Sequence, residues 1–459
     1  MNDLSQYRAR RAALAQAMRE RGGGVAIVPT APEVLRNHDN EYDYRPDSYF
    51  WYLSGFTEPE AVLVLIADAQ TTRSVLFCRA KDIEREIWDG YRLGPDAAVA
   101  ALDLDAAHPI ATIDTELPKL LANQPTVFCP LAQGGPFEAQ LQRWMTSVRA
   151  QARIGVQAPA ATHDVLALLD EMRLVKDAQE IDTMRRAARI SADAHRRAMH
   201  ATQPGRHEYE IEAELLYEFR RRGAQSPAYG SIVAGGAHAC VLHYRANDGL
   251  LADGQLLLID AGCELDGYAS DITRTFPVNG RFSKAQRAVY EIVLAAQTAA
   301  IAAIAPGQTF DAPHQAALAV LAQGLIDLGL CSGDVKEVIA SGAYKPFYMH
   351  RTSHWLGRDV HDVGAYREAV AAPAINGAAP ASEAPWRLLR PGMALTIEPG
   401  LYLRASEDIP EAYWNIGVRI EDDAIVTAHG SEIITDEAPR TVDDIERWMR
   451  TAALDLPTA

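Results

Sequence analysis

Apolar and polar positions follow two regimes along the chain. Over residues 1 to about 170, a helix-periodic opening, "MNDLSQYRARRAALAQAMRE", gives way to short apolar runs, "GVAIVP", "AVLVLIAD", "SVLFC" and "TVFCP", set between polar or turn-rich segments. Apolar runs of this length predict strands, and their mixture with helical pattern predicts a small α/β domain. The stretch "RLVKDAQEIDTMRRAARISADAHRRAM" then begins a long amphipathic helix, with Asp177 as its N-cap and Glu180 at the capping-box offset. The domain boundary is expected between about Arg153 and Asp177, dividing the chain into 1–170 and 171–459. Beyond it the pattern runs helix, helix, hairpin-rich strands to about Gly280, then helix, helix, strands again to about Thr427. Two halves of similar layout predict a pseudo-symmetric α/β core, although the halves share no visible sequence similarity. The stretch "AAPAINGAAPASEAP", residues 371–385, breaks the pattern, and its prolines favour a surface loop.

One strand-like run ends in a charge. In "LLLIDAGCELDGYASDITRTF", residues 256–276, Asp260 directly follows four apolar residues. A carboxylate removed from water there must be neutralised, paired, solvated at the strand end or bound to a metal. Asp266-Gly267 favours a two-residue hairpin turn, which sets Leu265 opposite Tyr268, Asp260 opposite Thr273 and Gly262 opposite Asp271. Asp260 and Asp271 then become diagonal neighbours on one face. Two such carboxylates repel unless a cation lies between them, and hard divalent ions prefer oxygen donors. Further carboxylates follow apolar runs in "MALTIEPGLYL" (Glu398) and "VRIEDDAIVT" (Glu421), and "MHRTSHWLGRDVHDVG" carries His350, His354 and His361. A single histidine is more often a satisfied polar group than a ligand; three in one segment favour chemistry.

Composition narrows the setting. A chain of 459 residues with net charge -17 disfavours nucleic acid or an anionic membrane as partner. No apolar run approaches the length of a spanning helix, and the first 20 residues lack an apolar signal core. Five scattered cysteines without a CxxC pair fit reduced thiols, so the expected location is cytoplasmic.

The motifs "LIDAGCELDGYASDITRTFPVNGRFS", "SHWLGRDVHDVG", "LTIEPGLY" and "GVRIEDD", in this order, resemble the metallopeptidases of pita-bread fold, and among them the bacterial Xaa-Pro aminopeptidases, or aminopeptidases P. Earlier segments, "YDYRPDSYFWYLSGFTEPEAVLVL", "EIWDGYRLG", "EMRLVKDAQEI" and "IVAGGAHACVLHY", extend the resemblance over nearly the whole chain. It implies an aminopeptidase P-like N-terminal domain, a pita-bread catalytic domain, and two divalent ions, expected to be Mn²⁺. Asp260, Asp271, His354, Glu398 and Glu421 would be the ligands, Asp271 and Glu421 bridging. Such an ion pair can hold a hydroxide between its members and polarise a peptide carbonyl. Glu398 would be the general base. His243 and His361 would hold substrate and stabilise the oxyanion, His350 and Tyr229 would line the pocket, and Arg419 would orient ligating carboxylates unless it makes an ordinary salt bridge. The implied substrate is a peptide with proline second, and the implied assembly a homo-oligomer in which Trp88 reaches a neighbouring subunit; local packing is the alternative for Trp88.

Arg351 departs from the glycine expected after the first histidine, and 371–385 resembles an insertion. Arg351 is a candidate clamp for a substrate carboxylate, the feature that would favour a prolidase, the runner-up reading. A methionine aminopeptidase is disfavoured by the long N-terminal domain. A catalytically dead peptide-binding relative would have lost ligands, and all five positions are filled.

Overall fold

The apolar runs of the N-terminal half lie side by side in one sheet. The computed structural model describes residues 4–368 and 384–452, so the 371–385 stretch lies outside the described residues except for Ala384 and Pro385. The chain divides into two compact units, Met1–Met172 and Arg173–Ala459.

In the first unit, strands β1 (Gly24–Pro29), β2 (Val62–Ala67), β3 (Thr72–Cys78), β4 (Ala106–Pro109), β5 (Thr126–Cys129) and β6 (Ala161–Asp164) form a six-stranded sheet of order β4-β3-β2-β1-β5-β6. The β1/β2 and β2/β3 pairs are antiparallel, whereas β3/β4, β1/β5 and β5/β6 are parallel. Every residue of β2 is buried. Leu63 and Leu65 enter one apolar cluster, and Val62, Val64 and Ile66 enter another. Covering both faces explains why "AVLVLIAD" reads as a continuous apolar run instead of an alternation. The helix Ile83–Asp89 has no buried residue, and Trp88 on it is 84 % exposed. Local packing therefore does not account for this tryptophan.

The second unit repeats its layout. Helices α1 (Ala178–Ala201) and α2 (Glu208–Arg221) precede strands β7 (Ile232–Gly235), β8 (Leu256–Asp260), β9 (Cys263–Leu265), β10 (Tyr268–Ala269) and β11 (Thr273–Pro277). Helices α3 (Lys284–Ala302) and α4 (Ala312–Asp327) then precede β12 (Ala394–Ile397), β13 (Gly400–Leu403), β14 (Ile416–Arg419), β15 (Asp422–Val426) and β16 (Ser431–Ile433). The expected capping box starts α1: the Asp177 carboxylate accepts from the amides of Gln179 and Glu180, and the Glu180 carboxylate accepts from the Asp177 amide. One apolar core joins both halves, from Ala187 and Leu215 through Leu257 and Phe276 to Leu321, Leu395 and Val418.

The predicted hairpin register holds, with Leu265 opposite Tyr268 and Asp260 opposite Thr273. Asp266 (φ 51°) and Gly267 (φ 75°) both adopt the positive φ that a tight turn of this hand requires. Between β8 and β9 the strands crowd so closely that a Cβ on Gly262 would lie 1.7 Å from the Ser270 carbonyl oxygen. Only glycine fits there. Regular pairing lapses at this point, and Asp271 sits in the lapse between β10 and β11. Glu398 and Glu421 occupy the equivalent breaks, between β12 and β13 and between β14 and β15.

Candidate metal centre

Four carboxylates thus reach the site from strand ends or strand breaks, and the histidine segment is laced alongside them. Leu356 N donates to Ala394 O (3.1 Å), Thr396 N to His354 O (3.0 Å) and Glu398 N to Thr352 O (2.8 Å), an added antiparallel ladder against β12. Asp271, His354 and Glu421, all buried, each offer one ligand atom, and these atoms lie within 4.8 Å of one another. Glu398 joins them, its Oε1 3.6 Å from His354 Nε2, while Asp271 Oδ2 lies 3.5 Å from the same nitrogen.

Asp260 is tied in by two neighbours. Arg419 Nη2 lies 2.6 Å from its Oδ2, and the Tyr229 hydroxyl lies 2.7 Å from its Oδ1 and 2.5 Å from Asp271 Oδ1. The cavity over these groups has a volume of about 520 Å³ and also exposes His243, His350 and His361. All the sequence-derived candidates line it except Trp88, which belongs to the first unit.

The protonation pattern reports how crowded the site is. Burial pushes the Glu398 carboxyl up to about 7, with Asp271 and Asp260 adding repulsion against the pull of His354 and Arg419. Glu421 is held well above the usual carboxylate range by burial and by the charges of Asp271, Glu398 and Asp260. Asp271 is raised as well, chiefly by burial. For His354, burial works against the charged form, yet its bond to Asp271 and the charge of Glu398 prevail and raise it to about 9.

These observations allow a test of whether the residues suit a metal. His354 Nδ1 lies 2.9 Å from the Trp355 carbonyl oxygen, which fixes that nitrogen as the donor. Its Nε2 lone pair is then turned toward two carboxylates, an arrangement that needs a proton or a cation between them. Tyr229 has one hydroxyl proton for two short carboxylate contacts, which poses the same demand. Divalent cations meet it, and a donor set of four carboxylates and one imidazole suits hard or borderline ions. The residues fit.

Several contacts were not legible in the sequence. Thr273 Oγ1 donates to Glu421 Oε2 (2.6 Å) and accepts from Arg419 Nε (3.1 Å). The Asp271 amide donates to Asp423 Oδ2 (3.0 Å). Tyr402 links Arg419 to His350: its oxygen accepts from Arg419 Nη1 (3.0 Å), and its hydroxyl lies 2.8 Å from His350 Nε2. Because His350 Nδ1 donates to the Arg351 carbonyl (2.7 Å), Nε2 is the acceptor for Tyr402. Burial first, and Arg419 second, bring His350 down to about 4, so it is neutral. Both its nitrogens are occupied. Tyr229 likewise has its hydroxyl committed to Asp260 and Asp271, which makes it a brace for the carboxylates as well as a pocket wall.

His361 sets its ring 4.4 Å from that of His354, edge to face, and burial, then His354 and His243, lower it below the ordinary histidine value. Arg351 is not a free cation: it pairs with Asp311, and its guanidinium lies 4.8 Å from the ring centre of Trp386. A substrate carboxylate would have to compete with Asp311 for it.

Comparison with known proteins extends these observations to the whole chain. The metallopeptidase family M24 matches residues 182–428, and the aminopeptidase P N-terminal domain matches residues 7–128. The Xaa-Pro aminopeptidase of Escherichia coli strain K12 is 42% identical over 455 residues, covering 98% of this chain and 99% of that protein. The structure of Pseudomonas aeruginosa aminopeptidase PepP superposes with a TM-score of 0.93 at 49% identity, covering 99% of each chain. That of zinc-substituted E. coli aminopeptidase P in complex with product gives a TM-score of 0.92 at 42% identity, covering 98% of this chain and 99% of that one. The fold is therefore an aminopeptidase P-type N-terminal domain followed by a pita-bread catalytic domain, and the chain belongs to metallopeptidase family M24.

Proposed function

We propose that this protein is a metal-dependent aminopeptidase that removes the residue preceding an N-terminal proline peptide bond, using two divalent ions, most simply Mn²⁺, held by Asp260, Asp271, His354, Glu398 and Glu421. The observation that carries the reading is the set of buried carboxylates around His354 Nε2, whose raised proton affinities mark a site built for cations. The kinship with Xaa-Pro aminopeptidases over nearly the full chain supports the choice of substrate.

Bound divalent ions would supply a polarised carbonyl and an acidified water at neutral pH. The protein's own groups account for the rest. Glu398, whose Oε1 lies beside His354 in the cavity, is placed both to take the water proton and to release it to the departing proline nitrogen. His361, neutral and beside His354, can donate an N–H to the developing oxyanion, with His243, which lines the same cavity, holding the peptide. His350 stands beside Glu398 as a fixed wall of the pocket: its Nδ1 lies 3.8 Å from Glu398 Oε2, and Tyr402 and the Arg351 carbonyl lock its ring. A proline amide has no N–H and a fixed φ, which is why a dedicated pocket is required.

The exposed Ile87, Trp88 and Tyr91 support homo-oligomerisation through that surface. Five free cysteines, and no described helix long and apolar enough to cross a membrane, support a cytoplasmic location.

The test is product analysis by mass spectrometry on Ala-Pro-Ala and Ala-Ala-Ala, before and after dialysis against a chelator. Release of alanine from the first, weak action on the second and recovery on adding Mn²⁺ are expected. Indifference to proline, or full activity without metal, would overturn the reading.

A further inference from the structure

Two arginines other than Arg419 line the cavity, Arg245 and Arg351, and they differ in their company. Arg351 is neutralised by Asp311 and packed on Trp386. Arg245 has no ion pair and no side-chain hydrogen bond among the described residues, in a chain of net charge -17. Its position is nonetheless defined. A Cβ placed on Gly230 would meet Arg245 Nη1 at 3.6 Å, and Gly230 follows Tyr229, whose hydroxyl joins Asp260 to Asp271.

The loop that carries Arg245 is pinned by one buried carboxylate. Glu208, 1 % exposed, accepts from the amides of Gly235 (2.7 Å) and Gly249 (2.7 Å), from the Tyr244 hydroxyl (2.8 Å), and contacts His238 Nδ1 (2.9 Å). Asn247 adds bonds to Val233 N (3.0 Å) and Ser231 O (2.9 Å). A loop tied at both ends and at Tyr244 presents its next residue in a restricted arc. An unpaired guanidinium held at the mouth of a metal pocket seeks an anion, and its planar fork matches a carboxylate.

We propose that Arg245 recognises the free C-terminal α-carboxylate of a tripeptide, making it a specificity residue for short, unblocked peptides. The inference rests on the aminopeptidase reading above and names the end of the substrate that lies away from the metal. The carboxylate clamp considered for Arg351 is thereby assigned to the arginine that lacks a protein partner.

The experiment compares kcat/KM of the metal-loaded full chain on Ala-Pro-Ala and on Ala-Pro-Ala amide, for wild type, Arg245→Gln and Arg245→Lys. An exposed ion pair of this kind favours the free acid by about five-fold. Wild type should show that preference mainly in KM, and it should shrink as salt is raised. Arg245→Gln should bring the acid-to-amide ratio to about one, and Arg245→Lys should retain part of it. A ratio near one in wild type, or a preference that persists in Arg245→Gln, overturns the proposal while the aminopeptidase reading stands. If wild type cleaves neither peptide, the aminopeptidase reading fails and takes this one with it.

Discussion

Arg419 and Asp260 form an ion pair at the base of the cavity, Nη2 to Oδ2 at 2.6 Å, with side-chain exposures of 4% and 13%. The same guanidinium also donates to Thr273, which bonds Glu421, and to Tyr402, which bonds His350, so it aligns one candidate ligand and braces a second through Thr273. Removing one member of a buried pair leaves the other uncompensated, at about 3–5 kcal/mol. Arg419→Met should therefore lower the stability of the metal-free protein by about 3 kcal/mol, measured by urea unfolding, and excess divalent ion should recover part of it. A stability unchanged from wild type would show that Asp260 does not depend on this arginine.

Asp271 and Glu398 should separate metal retention from turnover. Asp271 lies among His354, Glu421 and Tyr229, so Asp271→Ala is expected to strip metal and activity together. Glu398→Ala leaves the other four candidate ligands and should keep part of the metal, while turnover falls by at least the 10²- to 10⁴-fold typical of a lost general base. Elemental analysis beside single-turnover rates checks both. Near-normal turnover in Glu398→Ala would remove it from its role.

His361→Ala should lower kcat by about 10²-fold, the usual effect of deleting one oxyanion donor, with metal content intact. Loss of metal from this variant would move His361 into the ligand set.

His195, behind the strand that ends in Asp260, offers a test of stability against pH. Its Nε2 lies 2.9 Å from the Ala261 carbonyl, and complete burial brings it down to about 4 from an ordinary 6.5. Between those values the unfolded chain binds a proton that the folded chain refuses. The stabilisation is complete above about pH 6.5 and is lost as pH falls toward 4, by about 3 kcal/mol in all. Because carboxylates titrate over the same range, the comparison should be wild type against His195→Gln by denaturant unfolding. The difference between them should narrow as pH drops, and a difference independent of pH would contradict the buried neutral imidazole.

The parts of this architecture that were legible in the sequence are those governed by local rules. Asp266-Gly267 sets the hairpin count, so the pairing of Asp260 with Thr273 follows from the turn alone. Asp177 and Glu180 announce the start of α1 through contacts three residues apart. What could not be read is long-range. Arg351 meets Asp311 forty residues earlier, and nothing in its own segment signals a partner. Tyr229 reads as an aromatic pocket wall until Asp260 and Asp271 close on its hydroxyl from another hairpin. The isolation of Arg245 is invisible for the same reason, because an absent partner is a property of the folded surface.

If the cavity acts on the N-terminal end of a peptide and leaves the chain beyond proline room to continue, kcat/KM for the metal-loaded protein on the matched pair Ala-Pro and Ala-Pro-Ala will show it. With Arg351 occupied by Asp311 and the only unpaired cavity arginine among the described residues being Arg245, the tripeptide should be cleaved at least as well as the dipeptide. A strong dipeptide preference that disappears in Arg351→Gly would contradict the account and identify a prolidase.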